Sequence, residues 1–141
     1  MKHVFLDTNV LVDFAIDDRP GNGLAKQIVA AACSGKIKLY TSVQSVIDLC
    51  YFYTKGNKER ERAIGGFIQG LYRFIKICDT RKEHLDFAAG NYYDDYEDAV
   101  QTAIAIDNNC DLIVSGDNGF DGSFGPPVVN PDEFCREYFE E

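Results

Sequence analysis

The sequence predicts an α/β fold in which a mostly parallel β-sheet is covered by helices on both faces. Short apolar runs, such as residues 4–6 and 112–114, have the composition of strands that are buried on both faces. Segments whose apolar residues repeat at helical spacing alternate with these runs, and this order produces the strand–helix–strand units of parallel sheets. A length of 141 residues suits one domain, which is predicted to span residues 1–141.

The first half of the chain is predicted to contain two strands and four helices. The opening strand ends at Asp7, and the run 17–21, with its proline and glycine, breaks the helix that follows. Asn22 is placed to cap the next helix, and Gly35 to end it in a left-handed turn. The predicted elements are strand 4–6, helix 10–15, helix 23–34, strand 37–41, a helix from 43 to about 56, and helix 57–72.

The helix that starts at residue 43 combines apolar surface with an acid. Ser42 is predicted to cap this helix. Asp48 lies among its apolar residues, and burial of an unpaired carboxylate costs on the order of several kcal/mol. Asp48 is therefore expected either to reach solvent or to have a functional role. The residues predicted to face the core are Val43, Val46, Ile47, Leu49, Cys50 and Phe52.

Helix 57–72 carries basic residues on one side and an apolar stripe on the other. The stripe comprises Ile64, Phe67, Ile68 and Leu71. Three glycines interrupt the helix at positions 65, 66 and 70, and each costs up to about 1 kcal/mol relative to alanine. A close contact or a bend is therefore expected at these glycines.

The second half of the chain is predicted to contain three strands and three helices. Asp94 or Asp95 is placed to cap the second of these helices, which Asn108-Asn109 ends. The predicted elements are strand 74–78, helix 81–89, a helix up to residue 109, strand 112–114, strand 128–129, and a helix that begins at Pro131.

Composition excludes several classes of protein. With 45% hydrophobic and 26% charged residues, the chain is expected to be globular rather than disordered. No apolar run approaches the roughly 20 residues of a membrane span, and the N-terminus lacks a secretion signal. We therefore expect a cytoplasmic location and no association with a membrane. The five cysteines lack the close spacing of a zinc site and are expected to be small buried hydrophobes.

The distribution of charge is uneven. The net charge of −9 argues against a nucleic-acid partner, because an acidic surface repels a polyanion. However, residues 55–82 carry eight of the 14 basic residues and a local charge of +5, whereas residues 83–121 contain ten acids and no Lys or Arg. Acids at this density require a cation or a basic partner, unless they form a solvated face.

Four acids occupy positions at which side chains can converge. Asp7 and Asp117 follow predicted strands, Asp98 starts a helix, and Asp48 lies on an earlier helix. In a doubly wound sheet such positions meet at one edge, and clustered carboxylates need a hard cation such as Mg²⁺ or Mn²⁺. Phosphoryl transfer is the chemistry that such a site supports best. The competing interpretation is that Asp7 or Thr8 only caps the following helix.

At these positions the chain resembles the PIN-domain nucleases, in the bacterial branch that includes the VapC-type ribonuclease toxins. The resemblance rests on Asp7-Thr8-Asn9-Val10, on Glu97-Asp98-Ala99, and on Ser115-Gly116-Asp117 followed by Phe120. It implies a three-layer α/β/α sandwich and divalent-metal-dependent cleavage of RNA. It also implies a homodimer and, for the toxins, inhibition by a small antitoxin protein.

The resemblance also assigns roles to residues. It implies that Asp7, Asp98 and Asp117 bind the metal, and that Asp48 is a fourth catalytic acid at a position usually held by Glu. The turn at Asn118-Gly119 departs from the longer or more basic turn expected there. Asn9, Lys58, Arg60 and Arg62 are the residues expected to contact RNA.

Two other interpretations remain open. A receiver-type signalling domain has a similar acidic pocket, but it needs a lysine near its last strand, and this chain has no lysine after Lys82. A catalytically inactive scaffold would retain the fold and bind RNA or a protein partner. Asp48 in place of Glu and the unusual charge both favour the scaffold as the main alternative.

Overall fold

The computed structural model describes residues 1–91 and 95–139. In this part of the chain, five parallel strands form one sheet in the order β3-β2-β1-β4-β5. The predicted fold class is thus confirmed, and the sheet is parallel throughout. The elements are β1 (Lys2–Leu6), α1 (Thr8–Ala15), α2 (Asn22–Cys33), β2 (Ile37–Ser42), α3 (Val43–Thr54), α4 (Lys58–Leu71), β3 (Ile75–Cys78), α5 (Lys82–Ala89), α6 (Tyr96–Asp107), β4 (Leu112–Val114), β5 (Val128–Val129) and α7 (Pro131–Phe139).

Helices cover both faces of the sheet. Side chains alternate along β1, so Val4 and Leu6 join one core cluster while Phe5 joins another. The first cluster packs against α1, α2, α3, α4 and α7. The second packs against α5 and α6. Burial on both faces explains why the central strands are apolar runs without alternation.

The sheet order places a crevice between the ends of β1 and β4. From β1 the chain builds β2 and then β3 on one side, and it later returns to place β4 on the other side. The Asp7 N–H donates to the Val114 carbonyl at 3.0 Å and joins the two carboxyl ends. A reversal of strand order of this kind is where open α/β sheets bind ligands. Asp7 and the segment after Val114 therefore border the same crevice.

Two helix starts differ from the prediction. Helix α1 begins at Thr8, two residues before the predicted start, because the Asp7 carboxylate accepts the Thr8 N–H. Asn22 does not cap α2, since it is the first residue of the helix and its Nδ2 donates to the carbonyls of Asp13 and Phe14. Gly35 has the predicted left-handed backbone, with φ of 78°. Asp94, one of the two predicted caps of α6, lies outside the described residues.

The α3–α4 region corrects two further expectations. Several apolar residues of α3 are exposed instead of core-facing: Val43 is 38% exposed, Ile47 57% and Phe52 51%. A Cβ added at Gly65, Gly66 or Gly70 of α4 would meet no atom within 4 Å, so the expected close contact at these glycines is wrong.

The cysteines follow the prediction in part. Cys78, Cys110 and Cys135 are buried, whereas Cys33 at the end of α2 is exposed. None of the described helices has both the length and the apolar character that crossing a bilayer requires.

Candidate functional site

The crevice at the carboxyl ends of β1 and β4 contains an acidic cavity of about 260 Å³. Helices α1, α3 and α6 and the segments that follow α1 and β4 form its walls. A larger cavity of about 500 Å³ lies along β2 and β3 but has no carboxylate in its wall. The residues that line the acidic cavity are Asp7, Thr8, Asn9, Val12, Arg19, Phe52, Asp95, Glu97, Asp98 and Asp117.

Asp7 both caps a helix and belongs to the acid cluster, by which we mean the acids that line this cavity. It is only 6% exposed, and its Oδ1 accepts the Thr8 N–H at 2.8 Å. Its Oδ2 accepts a hydrogen bond from Ser115 Oγ at 2.8 Å and one from Asn9 Nδ2 at 3.3 Å. Burial raises the pKa of Asp7 from its ordinary value, although these hydrogen bonds act in the opposite direction. Capping and membership of the acid cluster therefore occur together.

Asp98 is the most perturbed acid of the site. It lies in the first turn of α6, is 7% exposed, and its Oδ2 has no hydrogen-bond partner within the described residues. Burial, and then the charges of Asp7, Asp95, Asp117 and Glu97, raise the pKa of Asp98 to about 7. A buried carboxylate oxygen without a partner is costly in the charged form, and a bound cation would remove that cost.

Asp95, Asp98 and Asp117 form the tightest group of acids. Each offers a carboxylate oxygen, and these oxygens all lie within 4.8 Å of one another. One oxygen of Asp95 caps α6 by accepting the N–H groups of Glu97 and Asp98 at 2.9 and 3.2 Å. Asp117 Oδ1 accepts the Gly119 N–H at 2.8 Å. Within the described residues, the second carboxylate oxygen of Asp95 and that of Asp117 make no hydrogen bond.

Asp48 lies beside this group rather than in the cavity wall. Its Oδ1 accepts from Gln44 Nε2 at 3.1 Å, and its carboxylate is near enough to Glu97 to raise the pKa of that acid. Loss of hydration, and then the charges of Asp48, Asp7 and Asp95, raise the pKa of Glu97. The structure thus brings Asp7, Asp98 and Asp117 to one cavity and connects Asp48 to it through Glu97.

The predicted RNA-contacting residues separate into two groups. Asn9 lines the cavity, where its Oδ1 accepts the Gly116 N–H at 2.9 Å and its Nδ2 donates to Asp7. Lys58, Arg60 and Arg62 are not among the residues that line it. The Arg60 guanidinium instead lies 4.7 Å from the centre of the Tyr53 ring. Asn9 therefore holds the two strand ends together, and Arg60 joins α4 to α3.

A buried polar network lies beneath the acids. Gln101 Nε2 donates to Ser45 Oγ at 2.5 Å and to Thr8 Oγ1 at 3.3 Å, and these two hydroxyl oxygens are 2.7 Å apart. Ser42 Oγ donates to Ser45 Oγ at 3.1 Å. The network joins the first turns of α1 and α3 to the second turn of α6, and these three helices surround the cavity. Gln101 Oε1 has no partner within the described residues.

Sequence reasoning missed several residues of this site. Asp95 was expected only as a helix cap, and Arg19 only as part of a helix-breaking run. Phe52 was expected in the core. The one available signal was the position of Asp95, because an N-cap acid lies on the same helix end as Asp98, three residues further on.

The side chains of the site fit a hard divalent cation. All available ligand atoms are carboxylate oxygens, which Mg²⁺ and Mn²⁺ prefer over nitrogen or sulfur. The unpartnered Oδ2 of Asp98 is the oxygen that such an ion would satisfy. Asp95 and Asp117 supply the remaining oxygens within reach.

Comparison with known proteins gives one family. The sequence profile of the PIN domain matches residues 3–119. A curated relative, ribonuclease VapC1 of Aquifex aeolicus (strain VF5), is 25% identical over 144 residues, which cover 97% of this chain and 96% of the relative.

Several solved structures have a similar fold. One is VapC20 of Mycobacterium tuberculosis, described as a sarcin-ricin loop cleaving toxin. Its TM-score is 0.59 and its sequence identity 16%, and the match covers 86% of this chain and 92% of that chain. VapBC2 of Rickettsia felis, bound to a DNA fragment from their promoter, has a TM-score of 0.61 and 14% identity, covering 91% and 98%. FitAB bound to the IR36 DNA fragment has a TM-score of 0.59 and 15% identity, covering 91% and 94%. Identities this low show the fold alone. The match to the PIN-domain profile extends over most of this chain, and the chain therefore belongs to the PIN-domain family.

Proposed function

We propose that this protein is a divalent-metal-dependent endoribonuclease that hydrolyses phosphodiester bonds of RNA. The observation that carries the proposal is the buried Asp98 carboxylate, which has an unpartnered oxygen and lies within reach of Asp95 and Asp117 in the crevice of a PIN-domain sheet. The name of the VapC1 relative, a ribonuclease, supports the choice of RNA as substrate.

Each acid has a proposed role. Asp7, Asp98 and Asp117, which all line the cavity, hold Mg²⁺ or Mn²⁺. Asp95, whose carboxylate lies within reach of those of Asp98 and Asp117, adds a further ligand. When bound, the ion supplies a more acidic water and stabilises negative charge on the phosphate. Ser115 and Asn9 fix the orientation of the Asp7 carboxylate by hydrogen bonds. Asp48 is the fourth catalytic acid and acts through its contact with Glu97.

The proposed Asp48–Glu97 pair is suited to handling a proton. Besides the loss of hydration, the negative charge of Asp48 disfavours ionisation of Glu97 and so contributes to the raised pKa of Glu97. The raised pKa of Glu97 brings its titration nearer to neutral pH. Such a pair can accept or release a proton as the phosphodiester is hydrolysed.

The proposal includes partner proteins. Two of the similar structures are the VapBC2 and FitAB assemblies, and a third is named a toxin. We therefore propose that this protein is the toxin of a pair, inhibited by a small antitoxin, and that it forms a homodimer. Lys58, Arg60 and Arg62 are proposed to contact RNA phosphates outside the cavity, where their charges on α4 offset the negative charge of the site.

A catalytically inactive scaffold is the second candidate. The position of Asp48 outside the cavity wall favours it, because the acid to which the family resemblance gives the fourth catalytic role would then not contact a ligand directly. A receiver-type domain fits less well, since no lysine is among the residues that line the cavity.

The deciding experiment compares wild type with Asp7→Asn. Asp7→Asn keeps the side-chain volume but removes the charge, so cleavage of a mixed RNA pool in Mn²⁺ should fall by about 10² or more. Its stability should change little, because relief of acid repulsion opposes the loss of hydrogen bonds from Ser115 and Asn9. Thermal melting in EDTA checks that the variant folds.

Asp86→Asn is the matched control, since Asp86 is exposed and pairs with Lys82 on α5. This control should cleave like wild type. Full cleavage by a well-folded Asp7→Asn protein would overturn the nuclease mechanism, and absence of cleavage by wild type would favour the scaffold.

A further inference from the structure

We propose that Arg19 and Phe52 form a substrate subsite in the acidic cavity, where Arg19 binds a phosphate next to the scissile one and Phe52 stacks on an unpaired base. The inference rests on the proposed ribonuclease function. Neither residue belongs to the acid cluster, yet both line the cavity that contains it.

Arg19 is the cation of the cavity wall. No other Lys, Arg or His is among the described residues that line the cavity. Its Nε donates to Asp13 Oδ1 at 2.9 Å, and within the described residues its side chain makes no other hydrogen bond or ion pair. Among the described residues, the terminal guanidinium nitrogens therefore have no partner. These nitrogens are the part of the side chain that binds a phosphate in a bidentate manner.

The segment between α1 and α2 is constrained so that Arg19 stays at the cavity. A Cβ at Gly21 would lie 2.1 Å from Asp13 Oδ2, so only glycine allows the Asp13 carboxylate to occupy its position. The Asn22 side chain donates to the Asp13 carbonyl at 2.9 Å, and the Asn22 N–H donates to the Arg19 carbonyl at 3.0 Å. Asp13 thus orients the guanidinium while Gly21 and Asn22 fix the backbone around it.

This arrangement is poorly explained by stability. Arg19 is 42% exposed at its side chain, and an exposed ion pair of this kind contributes little to stability. Within the described residues the guanidinium pairs with Asp13 and not with Asp7, Asp98 or Asp117, although these acids line the same cavity. A cation that is held apart from nearby acids leaves space for an anion between them, and a phosphodiester has the required charge and shape.

Phe52 supplies an apolar ring in a wall that is otherwise mostly polar. Phe52 is 51% exposed and follows Asp48 by one helical turn, so the two share a face of α3. The Tyr51 ring contacts it edge-on, with 5.7 Å between centroids and 77° between planes. One face of the Phe52 ring can therefore accept a base. Stacking on a protein ring requires a base that is free of its own helix, which single strands and loops provide.

The other exposed apolar residues of α3 form a separate surface. Val43, Ile47 and Tyr51 repeat every four residues and define one stripe, whereas Phe52 is turned by about 100° from Tyr51. None of these three residues is among those that line the cavity. A protein partner would cover the stripe, while the substrate would contact Phe52.

The test measures cleavage of a labelled single-stranded RNA in Mn²⁺, together with the same sequence in a duplex. Arg19→Gln should raise KM at least tenfold with a smaller change in kcat, and should lower the salt dependence of KM by the equivalent of about one phosphate contact. Arg19→Lys should restore part of the loss, because charge returns without the bidentate geometry. Phe52→Ala should raise KM for single strands by about 5- to 150-fold and reduce the preference for single strands.

Matched controls are Arg136→Gln and Tyr72→Ala. Arg136 forms an exposed ion pair with Asp132 on α7, and Tyr72 is an exposed aromatic residue at the end of α4 that does not line the acidic cavity. Both variants should keep wild-type KM values. Fluorescence of 2-aminopurine in a bound single strand, recorded in the Asp98→Asn background, should be quenched with Phe52 present and unquenched with Phe52→Ala.

The outcomes separate the subsite from the proposed function. Absence of cleavage by wild type would contradict the nuclease proposal, and the quenching measurement would still decide the subsite. Normal cleavage with unchanged KM in Arg19→Gln and Phe52→Ala would overturn the subsite alone. A Phe52→Ala protein that changes oligomeric state but not RNA kinetics would assign Phe52 to a protein interface, which also overturns it.

Discussion

At the scale of single residues, two acids of the candidate site also cap helices. Asp7 and Asp95 cap α1 and α6 with one oxygen, and both residues line the cavity. Capping holds each carboxylate in one orientation, which is what a metal ligand needs. The sequence predicted the cap and the site as competing interpretations of Asp7. In the structure the two are compatible, because the carboxyl end of β1 is also the start of α1, so that the cap of α1 lies in the wall of the acidic cavity.

Asp98 should make the stability of the metal-free protein depend on pH. Its pKa is raised from 3.8 to about 7 in the folded state, so between these values the unfolded chain is ionised while the folded protein keeps its proton. The free energy of unfolding should therefore fall as pH rises from about 4 to about 7. Melting temperatures in EDTA across this range measure the effect.

The comparison protein for the pH experiment is Asp98→Asn. The pKa values of Asp7 and Glu97 are also raised and act in the same direction, so only a difference from the variant isolates Asp98. The variant should show a shallower fall in melting temperature. Identical slopes would contradict the raised pKa of Asp98.

At the scale of elements, α3 shows where helical periodicity is insufficient. Its apolar residues cover more of the helix surface than the sheet and its neighbours can bury, so the pattern could not indicate which of them face the core. Val46 and Leu49 are buried, whereas Ile47 and Phe52 are exposed. The position of Phe52 depends on how α3 packs against α1 and α4, which no local pattern specifies.

Helix α4 should be stabilised by alanine at its glycines. The space at Gly65, Gly66 and Gly70 is open, so each Gly→Ala change should raise the free energy of unfolding by up to about 1 kcal/mol. Thermal melts of the single variants test this. Gly35→Ala and Gly56→Ala are the controls and should lower stability, because their φ angles are 78° and 69°. A loss of stability in the α4 variants would contradict the open space at these glycines.

At the scale of the whole molecule, the sequence predicted the layers and the strand ends but not their side-chain contacts. Apolar runs and helix signals were enough to predict a covered parallel sheet, and the acids after β1 and β4 were expected at one edge. The role of Asp95 and the positions of Arg19 and Gln101 depend on contacts between distant segments. Gln101, for example, donates to residues 56 and 93 positions away in sequence.

Mn²⁺ should stabilise the folded protein. An ion bound by Asp98 and its neighbours relieves their repulsion in the native state only, so the melting temperature should rise with metal concentration. Melts of protein stripped with EDTA, then repeated in a few millimolar Mn²⁺, measure the rise. Asp98→Asn should show a smaller rise. An unchanged melting temperature in wild type would contradict a formed metal site.

The position of β1 in the sheet determines when this site can exist. Strand β1 pairs with β2, which starts at residue 37, and with β4, which starts at residue 112. The strand that precedes Asp7 therefore needs a partner from a distant part of the chain. Pairings across so long a stretch of sequence are slow to form, since the loop they close is long. During synthesis, therefore, Asp7 leaves the ribosome first, and the site can form only after Asp98 and Asp117 have followed. Fragments that end before residue 117 lack the cavity, and any toxicity of this protein would begin only after nearly all of the described chain has left the ribosome.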